Sequence, residues 1–277
     1  MVKVLIKADY ARFTQQGEKT DCTTYPIPTP SSLIGLLSSI HGKPEFNWVI
    51  RSIKVLNEIR IEQMQFNSNS FCEETGGKKK NNTDETPKTY LKNSPVHCSH
   101  LRNVAYIVEA EPQIPQYHDN VCLSKGMNPK MENRPCASVD LPKKHTNIFN
   151  RRVREGKIGS RRGNLFLGKH YCHCTVELVE GEEPKSFYEG KGKRIFRCIP
   201  YVQEFVRIPS EKVKWAEKNL GKNGNNKIFY TSYSKNKNEY RYFMSNFHFT
   251  DLVMVDGVIK IDPELYKKHI TNNFHKA

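Results

Sequence analysis

The order in which two kinds of apolar periodicity follow one another constrains the fold of this chain more than any other feature. Apolar residues recur at every second position in four segments, which is typical of half-buried strands, and at helical spacing in two others. The alternating segments span residues 2–8, 48–61, 101–111 and 165–179, and the helical segments begin at Pro30 and at about Lys143. Read in chain order, they predict an α+β fold of the ferredoxin-like (RRM-like) βαββαβ type.

Local signals mark the ends of both predicted helices. Thr29 can cap the first helix, Pro30 fits its first turn, and Gly42 ends it. The second helix is expected from about Lys143 to Glu155, with Gly156 following its last turn. In a ferredoxin-like fold the two helices pack side by side and antiparallel on one face of the sheet.

Composition also changes along the chain, and the changes suggest a division into domains. Residues 62–98 are polar and basic, which predicts an inserted hairpin with a mobile tip, and the proline-rich residues 112–142 predict an irregular loop. We expect a core domain at residues 1–182 and a smaller, mainly antiparallel β domain at residues 183–277. The strands expected in the smaller domain span residues 195–208, 227–233, 241–249 and 252–261.

The chain carries a large excess of positive charge. It has 44 Lys and Arg against 29 Asp and Glu, a net charge of +15 and a pI near 9.4. Such an excess favours a polyanion, nucleic acid first and an anionic membrane surface second, because each neutralised phosphate releases condensed counterions. A basic protein without a specific partner is the alternative. The sequence shows neither a signal-peptide pattern nor an apolar stretch of membrane-spanning length, so we expect a cytoplasmic protein without a membrane partner.

The eight cysteines are spread through a chain too large to be a disulfide scaffold, so we expect reduced thiols. Two clusters rich in His and Cys, residues 97–100 and 170–174, suggest a zinc site as the alternative. Neither cluster has the paired Cys-x-x-Cys spacing of a structural zinc site, and we therefore expect no metal and no cofactor. Cys172 and Cys174 alternate with polar or aromatic neighbours, which predicts a strand with both thiols on its buried face.

Residues 156–168 combine glycines with Lys and Arg. Glycine lets a backbone approach a phosphate closely, and the basic side chains supply charge, so this segment is a candidate RNA-backbone contact. An ordinary glycine-rich turn is the alternative. Tyr10 and Phe13, beside Arg12, could stack on bases, although aromatic residues more often pack in a core. The candidate RNA-binding residues are all basic: Arg12, Lys43, Lys143, Arg151, Arg152, Arg161 and Arg162.

Lys144 and His145, at the start of the second predicted helix, are candidate catalytic residues. RNA carries its own nucleophile, the 2′-hydroxyl, so cleavage needs only a base, an acid and stabilisation of phosphorane charge. A simple phosphate-binding cluster is the alternative. His41 ends the first helix, where a cation would complement the helix dipole. If the end of the first helix lies near the start of the second, His41 approaches His145 and the two form an acid–base pair.

Several segments, in the same order along the chain, resemble the CRISPR-associated Cas-five family in its subtype I-C form. The N-terminal signature is covered by Tyr25 to Gly35 and Ile40 to Trp48. The further matching segments, in chain order, are residues 101–110, 144–152, 161–168 and 255–259. The resemblance covers most of the chain except residues 62–98 and 112–140.

The resemblance implies a RAMP-superfamily protein with a ferredoxin-like domain and a projecting thumb. Members hold the 5′ handle of CRISPR RNA in the Cascade complex, contact its backbone and large subunits, and meet target DNA indirectly through the complex. In subtype I-C the protein also cuts precursor CRISPR RNA at the repeat hairpin without a metal, using a Tyr and a Lys-His pair. The pair matches Lys144 and His145, whereas His41 occupies the position of the family tyrosine.

Three functions follow as hypotheses. The leading one is a Cascade subunit that cuts precursor CRISPR RNA and retains its handle. The second is a non-catalytic subunit of the same complex that only binds the handle. The third is a general basic RNA-binding protein unrelated to CRISPR.

Overall fold

The computed structural model describes residues 1–15, 23–43, 46–73, 89–113, 141–156, 164–208, 228–231 and 241–266. In these ranges the chain forms nine strands and two helices longer than ten residues. The strands are β1 (Val2–Ala11), β2 (Asn47–Val55), β3 (Ile61–Glu73), β4 (Thr89–Gln113), β5 (Thr175–Leu178), β6 (Lys193–Ile208), β7 (Ile228–Thr231), β8 (Arg241–Val255) and β9 (Val258–Lys260). The helices are α1 (Pro30–Ile40) and α2 (Leu141–Arg154).

All nine of these strands join one antiparallel sheet. Its order is β5-β1-β4-β2-β9-β8-β6, with β3 added to β4 and β7 added to β8. Helix α1 connects β1 to β2, and α2 follows β4 and precedes β5. The predicted combination of an antiparallel sheet with few helices is therefore confirmed.

One hydrophobic core holds the helices against the sheet. Alternate residues of β1 are buried, among them Val4 and Ile6, and α1 buries Leu33, Leu37 and Ile40. Each such side chain contributes roughly 2 kcal/mol by leaving water. The predicted cap is present, since the backbone N–H of Ser32 donates to the Thr29 hydroxyl at 3.2 Å. No helix within the described ranges is long and apolar enough to cross a bilayer.

Strands β3 and β4 form a long hairpin. Residues 61–73 pair with residues 89–101, and β4 then continues into the sheet between β1 and β2. The predicted tip of this insertion, residues 74–88, lies outside the described residues, as does most of the predicted loop, residues 114–140.

The prediction of a continuous strand at residues 165–179 is wrong for its first ten residues. The chain doubles back there, with the N–H of Leu167 donating to the carbonyl of Cys172, and β5 spans only Thr175–Leu178. Gly168 makes the reversal possible, because its φ is +79° and an added Cβ would lie 1.9 Å from the carbonyl oxygen of Arg12. The side chain of Cys172 is buried, and that of Cys174 is half-buried against the core.

The C-terminal strands differ from the predicted ones in one respect. Residues 241–255 form one strand, β8, where two were predicted, and a tight turn with positive φ at Asp256 and Gly257 leads into β9. Strand β9 pairs with β2 and so joins the C-terminal strands to the sheet. The division into residues 1–182 and 183–277 stays a prediction, although strands from both sides of it are hydrogen-bonded to one another.

Candidate active site

Two histidines from different helices meet in the interior. His41 follows the last residue of α1, and His145 lies in the second turn of α2. Nε2 of His41 lies 3.1 Å from Nδ1 of His145, within hydrogen-bond distance. The two residues are only 1% and 2% exposed. The predicted approach of His41 to His145 is therefore confirmed as geometry, while their catalytic roles stay predictions.

The backbone around His41 is fixed by three hydrogen bonds. Its N–H donates to the carbonyl of Leu37 at 2.9 Å, and its carbonyl accepts from the indole N–H of Trp48 at 2.9 Å. The guanidinium of Arg152, on α2, donates to the carbonyl of Ile40 at 2.8 Å. Because an orphan carbonyl at a helix end needs a partner, Arg152 also links α2 to the end of α1.

Aromatic rings pack around the histidine pair. The Phe46 ring centroid lies 4.3 Å from that of His145 and 5.4 Å from that of His41. The edge of Trp48 packs against Phe46 at 5.3 Å, and Phe149 contacts Trp48 at 5.0 Å. These rings place the pair in an apolar environment, in which a charged imidazole is costly.

The environment keeps His41 neutral near pH 7. Burial lowers the pKa of His41 to about 4, and the positive charges of Arg152 and Lys43 act in the same direction. Nδ1 of His41 is buried and has no hydrogen-bond partner among the described residues. His41 is therefore a poor proton acceptor at neutral pH.

Exposed cations lie next to the buried pair in the chain. Lys143 and Lys144 are exposed in the first turns of α2, which contain no acidic residue, and Lys43 is exposed just after α1. The amino end of a helix attracts anions through its unpaired N–H groups. Phosphate binding by these lysines stays a prediction.

The other candidate RNA contacts have different surroundings. Arg151 is exposed on α2, whereas Arg152 is half-buried and bonded to the Ile40 carbonyl. Arg161 and Arg162 lie outside the described residues. For all of these residues, phosphate binding stays a prediction.

Arg12 lies inside the protein. It is 6% exposed, and its Nη1 donates to Cys98 Sγ at 3.1 Å and to the Tyr171 hydroxyl at 2.9 Å. The same hydroxyl lies 3.1 Å from Nε2 of the buried His100. A phosphate contact by Arg12 stays a prediction, but its burial argues against direct contact in this conformation. Sequence reasoning missed this cluster, and its only local sign was the alternation of Cys98 and His100 along a strand.

Among the residues that the structure describes, no group of three or more His, Cys, Asp or Glu side chains is arranged to hold a metal ion. The expectation of metal-independent chemistry stays a prediction.

Comparisons with known proteins agree with the sequence resemblance. A family model described as CRISPR-associated protein (Cas_Cas5), in its Cas5d form, matches residues 1–240. A pre-crRNA endoribonuclease Cas5d from Thermus thermophilus is 31% identical over 195 residues, which is 66% of this chain and 66% of that protein. A protein of the same name from Mannheimia succiniciproducens is 44% identical over 66 residues, 24% of this chain and 29% of that one. The matched part thus spans less than two thirds of either relative.

A solved structure of a functionally uncharacterized protein from Streptococcus mutans is similar to this chain with a TM-score of 0.48. It is 21% identical in sequence, over 95% of this chain and 93% of that one.

Proposed function

Because the chain belongs to the Cas5 family of CRISPR-associated proteins, in its Cas5d form, we propose that it is an endoribonuclease that cuts precursor CRISPR RNA. The observation that carries the proposal is the His41–His145 pair beside the exposed Lys144 at the amino end of α2. Such a site has a proton-transfer group, which can act as base and then as acid, and a cation, which can stabilise the phosphorane charge. The names of the two Cas5d relatives support the same activity.

The proposed reaction is an attack of the 2′-hydroxyl on the adjacent phosphate. His145 takes the proton of that hydroxyl, and Lys144 stabilises the charge that develops on the phosphorane oxygens. The P–O5′ bond then breaks, and the proton that His145 accepted passes to the departing 5′ oxygen. The products are a 2′,3′-cyclic phosphate and a 5′-hydroxyl, and no metal takes part in the proposed step.

The burial of both imidazoles adds a step to the proposal. RNA cannot reach Nε2 of His145 in the described conformation, since that atom is buried. We place an opening of the contact with Phe46 before cleavage, which RNA binding at the amino end of α2 would promote. Catalytic contacts often form fully only in the substrate complex.

The wider role that we propose is retention of the 5′ handle within Cascade. The partners would be CRISPR RNA, the backbone and large subunits and, through the complex, target DNA, in the cytoplasm. The net charge of +15 supports an RNA partner.

We propose a ferredoxin-like RAMP core with the β3–β4 hairpin as its thumb. The antiparallel order β5-β1-β4-β2, with a helix between β1 and β2 and another between β4 and β5, supports this assignment.

A non-catalytic subunit that only holds the handle is the second candidate, and the burial of both histidines favours it. The two candidates are separated by incubating the protein with a repeat-hairpin RNA in excess EDTA. We expect cleavage that leaves a cyclic phosphate, and we expect H145A to abolish cleavage while binding the same RNA with similar affinity. Tight binding without cleavage by the wild-type protein would leave only the binding role. Equal affinity for a scrambled RNA would favour a general RNA-binding protein.

A further inference from the structure

Each ring of the histidine pair uses one nitrogen in the contact and keeps the other. The contact joins Nε2 of His41 to Nδ1 of His145. The remaining nitrogens, Nδ1 of His41 and Nε2 of His145, are both buried. His145 follows the exposed Lys144 directly, at the amino end of α2, whereas His41 follows the last residue of α1.

The backbone at His41 is held by hydrogen bonds on both sides. The N–H and carbonyl of His41 bond to Leu37 and Trp48, and the carbonyl of Ile40 accepts from Arg152, so the backbone from which the ring projects is fixed. A fixed neutral ring is well suited to orient a neighbour and poorly suited to exchange protons with a substrate.

We infer, on the basis of the proposed nuclease function, that His41 is a positioning residue that accepts a hydrogen bond from Nδ1–H of His145. This bond leaves the lone pair of His145 on Nε2, which is the form that can accept the proton of the 2′-hydroxyl. When Nε2 takes that proton, the resulting imidazolium still donates from Nδ1 to His41. His41 itself neither touches the RNA nor gains or loses a proton.

Both alternatives to this arrangement have definite chemical consequences. If His41 were the donor, Nε2 of His145 would already carry hydrogen and could not serve as a base without a change of tautomer. If His41 exchanged protons with the RNA, a residue that cannot be protonated would not replace it. Substitutions at residue 41 therefore test whether His41 exchanges protons, and the tautomer of His145 tells whether His41 accepts or donates the hydrogen bond.

The test compares H41Q with H41N. The amide end of Gln reaches the position of Nε2 of a histidine ring, whereas that of Asn reaches only the position of Nδ1. H41Q should keep an acceptor for His145 and cut repeat RNA in a single turnover within about tenfold of wild type, with the same pH–rate profile. H41N should be slower by about 100-fold, as expected when a general base loses its orientation. Melting temperatures of both variants control for loss of folding.

Three outcomes would overturn the inference. Equal losses of cleavage rate in H41Q and H41N would indicate that His41 is a proton-transfer group. Unchanged cleavage rates in both variants would show that His41 has no role in cleavage. The third is an NMR result. Long-range ¹H–¹⁵N spectra of labelled histidines, with His145 assigned through H145A, should show hydrogen on Nδ1 of His145 at pH 7.5. Hydrogen on Nε2 alone would contradict the proposal. A wild-type protein that cuts no RNA would refute the nuclease function instead, and the spectra would still report the tautomer.

Discussion

At the scale of single residues, surroundings change what a side chain can do. Arg12 and Arg152 have the same ionisable group as the exposed Arg151, yet Arg12 bonds a thiol and a hydroxyl in the interior and Arg152 bonds the end of α1. A guanidinium has several donors in a fixed plane, so it can serve a buried carbonyl as well as a phosphate.

Arg152 should act on His41 more than on RNA. Removing its charge in R152M should raise the pKa of His41 above its present value of about 4, because a positive neighbour that disfavours the imidazolium is lost. Loss of the bond to Ile40 should also lower the free energy of unfolding by about 1–2 kcal/mol. Histidine NMR titration and urea unfolding measure the two effects.

R151M is the matched control, since Arg151 is exposed on the same helix. It should leave the pKa of His41 unchanged. If R152M instead lowers RNA affinity and reduces the salt slope by about one unit, Arg152 is a phosphate contact, as the sequence first suggested.

The histidine pair should also make stability depend on pH. The pKa of His41 is about 4 in the folded protein against an ordinary value of 6.5, so the unfolded chain takes up a proton that the folded chain does not. The free energy of unfolding should therefore fall as the pH drops from 6.5 towards 4, by at most about 1.4 kcal/mol per unit from this residue. Above pH 6.5 His41 is neutral in both the folded and the unfolded chain, and the free energy of unfolding no longer changes with pH because of this residue.

H41Q isolates this effect. Burial also lowers the pKa of His100, which makes the free energy of unfolding fall with pH in the same direction. The free energy of unfolding of H41Q should therefore still depend on pH, but less steeply than that of the wild type. Urea unfolding at pH 7 and at pH 4.5 gives the change in the free energy of unfolding for each protein. The part of this change that is present in the wild type and absent from H41Q is the contribution of His41. Identical slopes would mean that His41 titrates normally in the folded protein.

At the scale of elements, the turn between Leu165 and Cys174 depends on close backbone contact. The N–H of Arg12 donates to the carbonyl of Leu167 at 3.3 Å, which ties the turn to the end of β1. Gly168 faces that contact, and this turn also supplies Tyr171 to the interior cluster around Arg12.

G168A should destabilise the protein by roughly 3 kcal/mol or more, because alanine adds both a strained positive φ and a clash with the Arg12 carbonyl. G190A is the control: Gly190 has a φ of +72°, but an added Cβ there meets no atom within 4 Å. It should cost only about 1 kcal/mol. Chemical denaturation compares them, and equal losses would show that the close approach at Gly168 is unimportant.

At the scale of the whole molecule, the sheet runs across the predicted domain boundary. Strand β9 pairs with β2, and Leu252, Met254 and Ile259 are buried in the same core as α1. The C-terminal strands therefore cover apolar surface that belongs to the N-terminal elements.

Residues 1–182 expressed alone should not fold cooperatively. The fragment would lose several buried apolar side chains, each worth roughly 2 kcal/mol, and their sum is comparable to the whole free energy of unfolding of a domain. Circular dichroism during heating measures this, with the full chain as control. A sharp melting transition of the fragment would support two independent domains.

The sequence by itself determined the features that depend on neighbours along the chain. The start of α1 at Thr29 and Pro30, the end of α2 just before Gly156 and the alternation in β1 follow from local backbone preferences and from apolar periodicity, and the structure has all three. The family resemblance also required only sequence.

Only the tertiary structure decided the features that join distant segments. These are the reversal at Gly168, the burial of Arg12, the pairing of β9 with β2 and the choice of ring nitrogens between His41 and His145. Each depends on which surfaces the whole chain buries together, and the free energy of that burial is shared among residues far apart in sequence. No local pattern carries that information, so the sequence could place His41 and His145 in the same region but could not say which ring nitrogens meet.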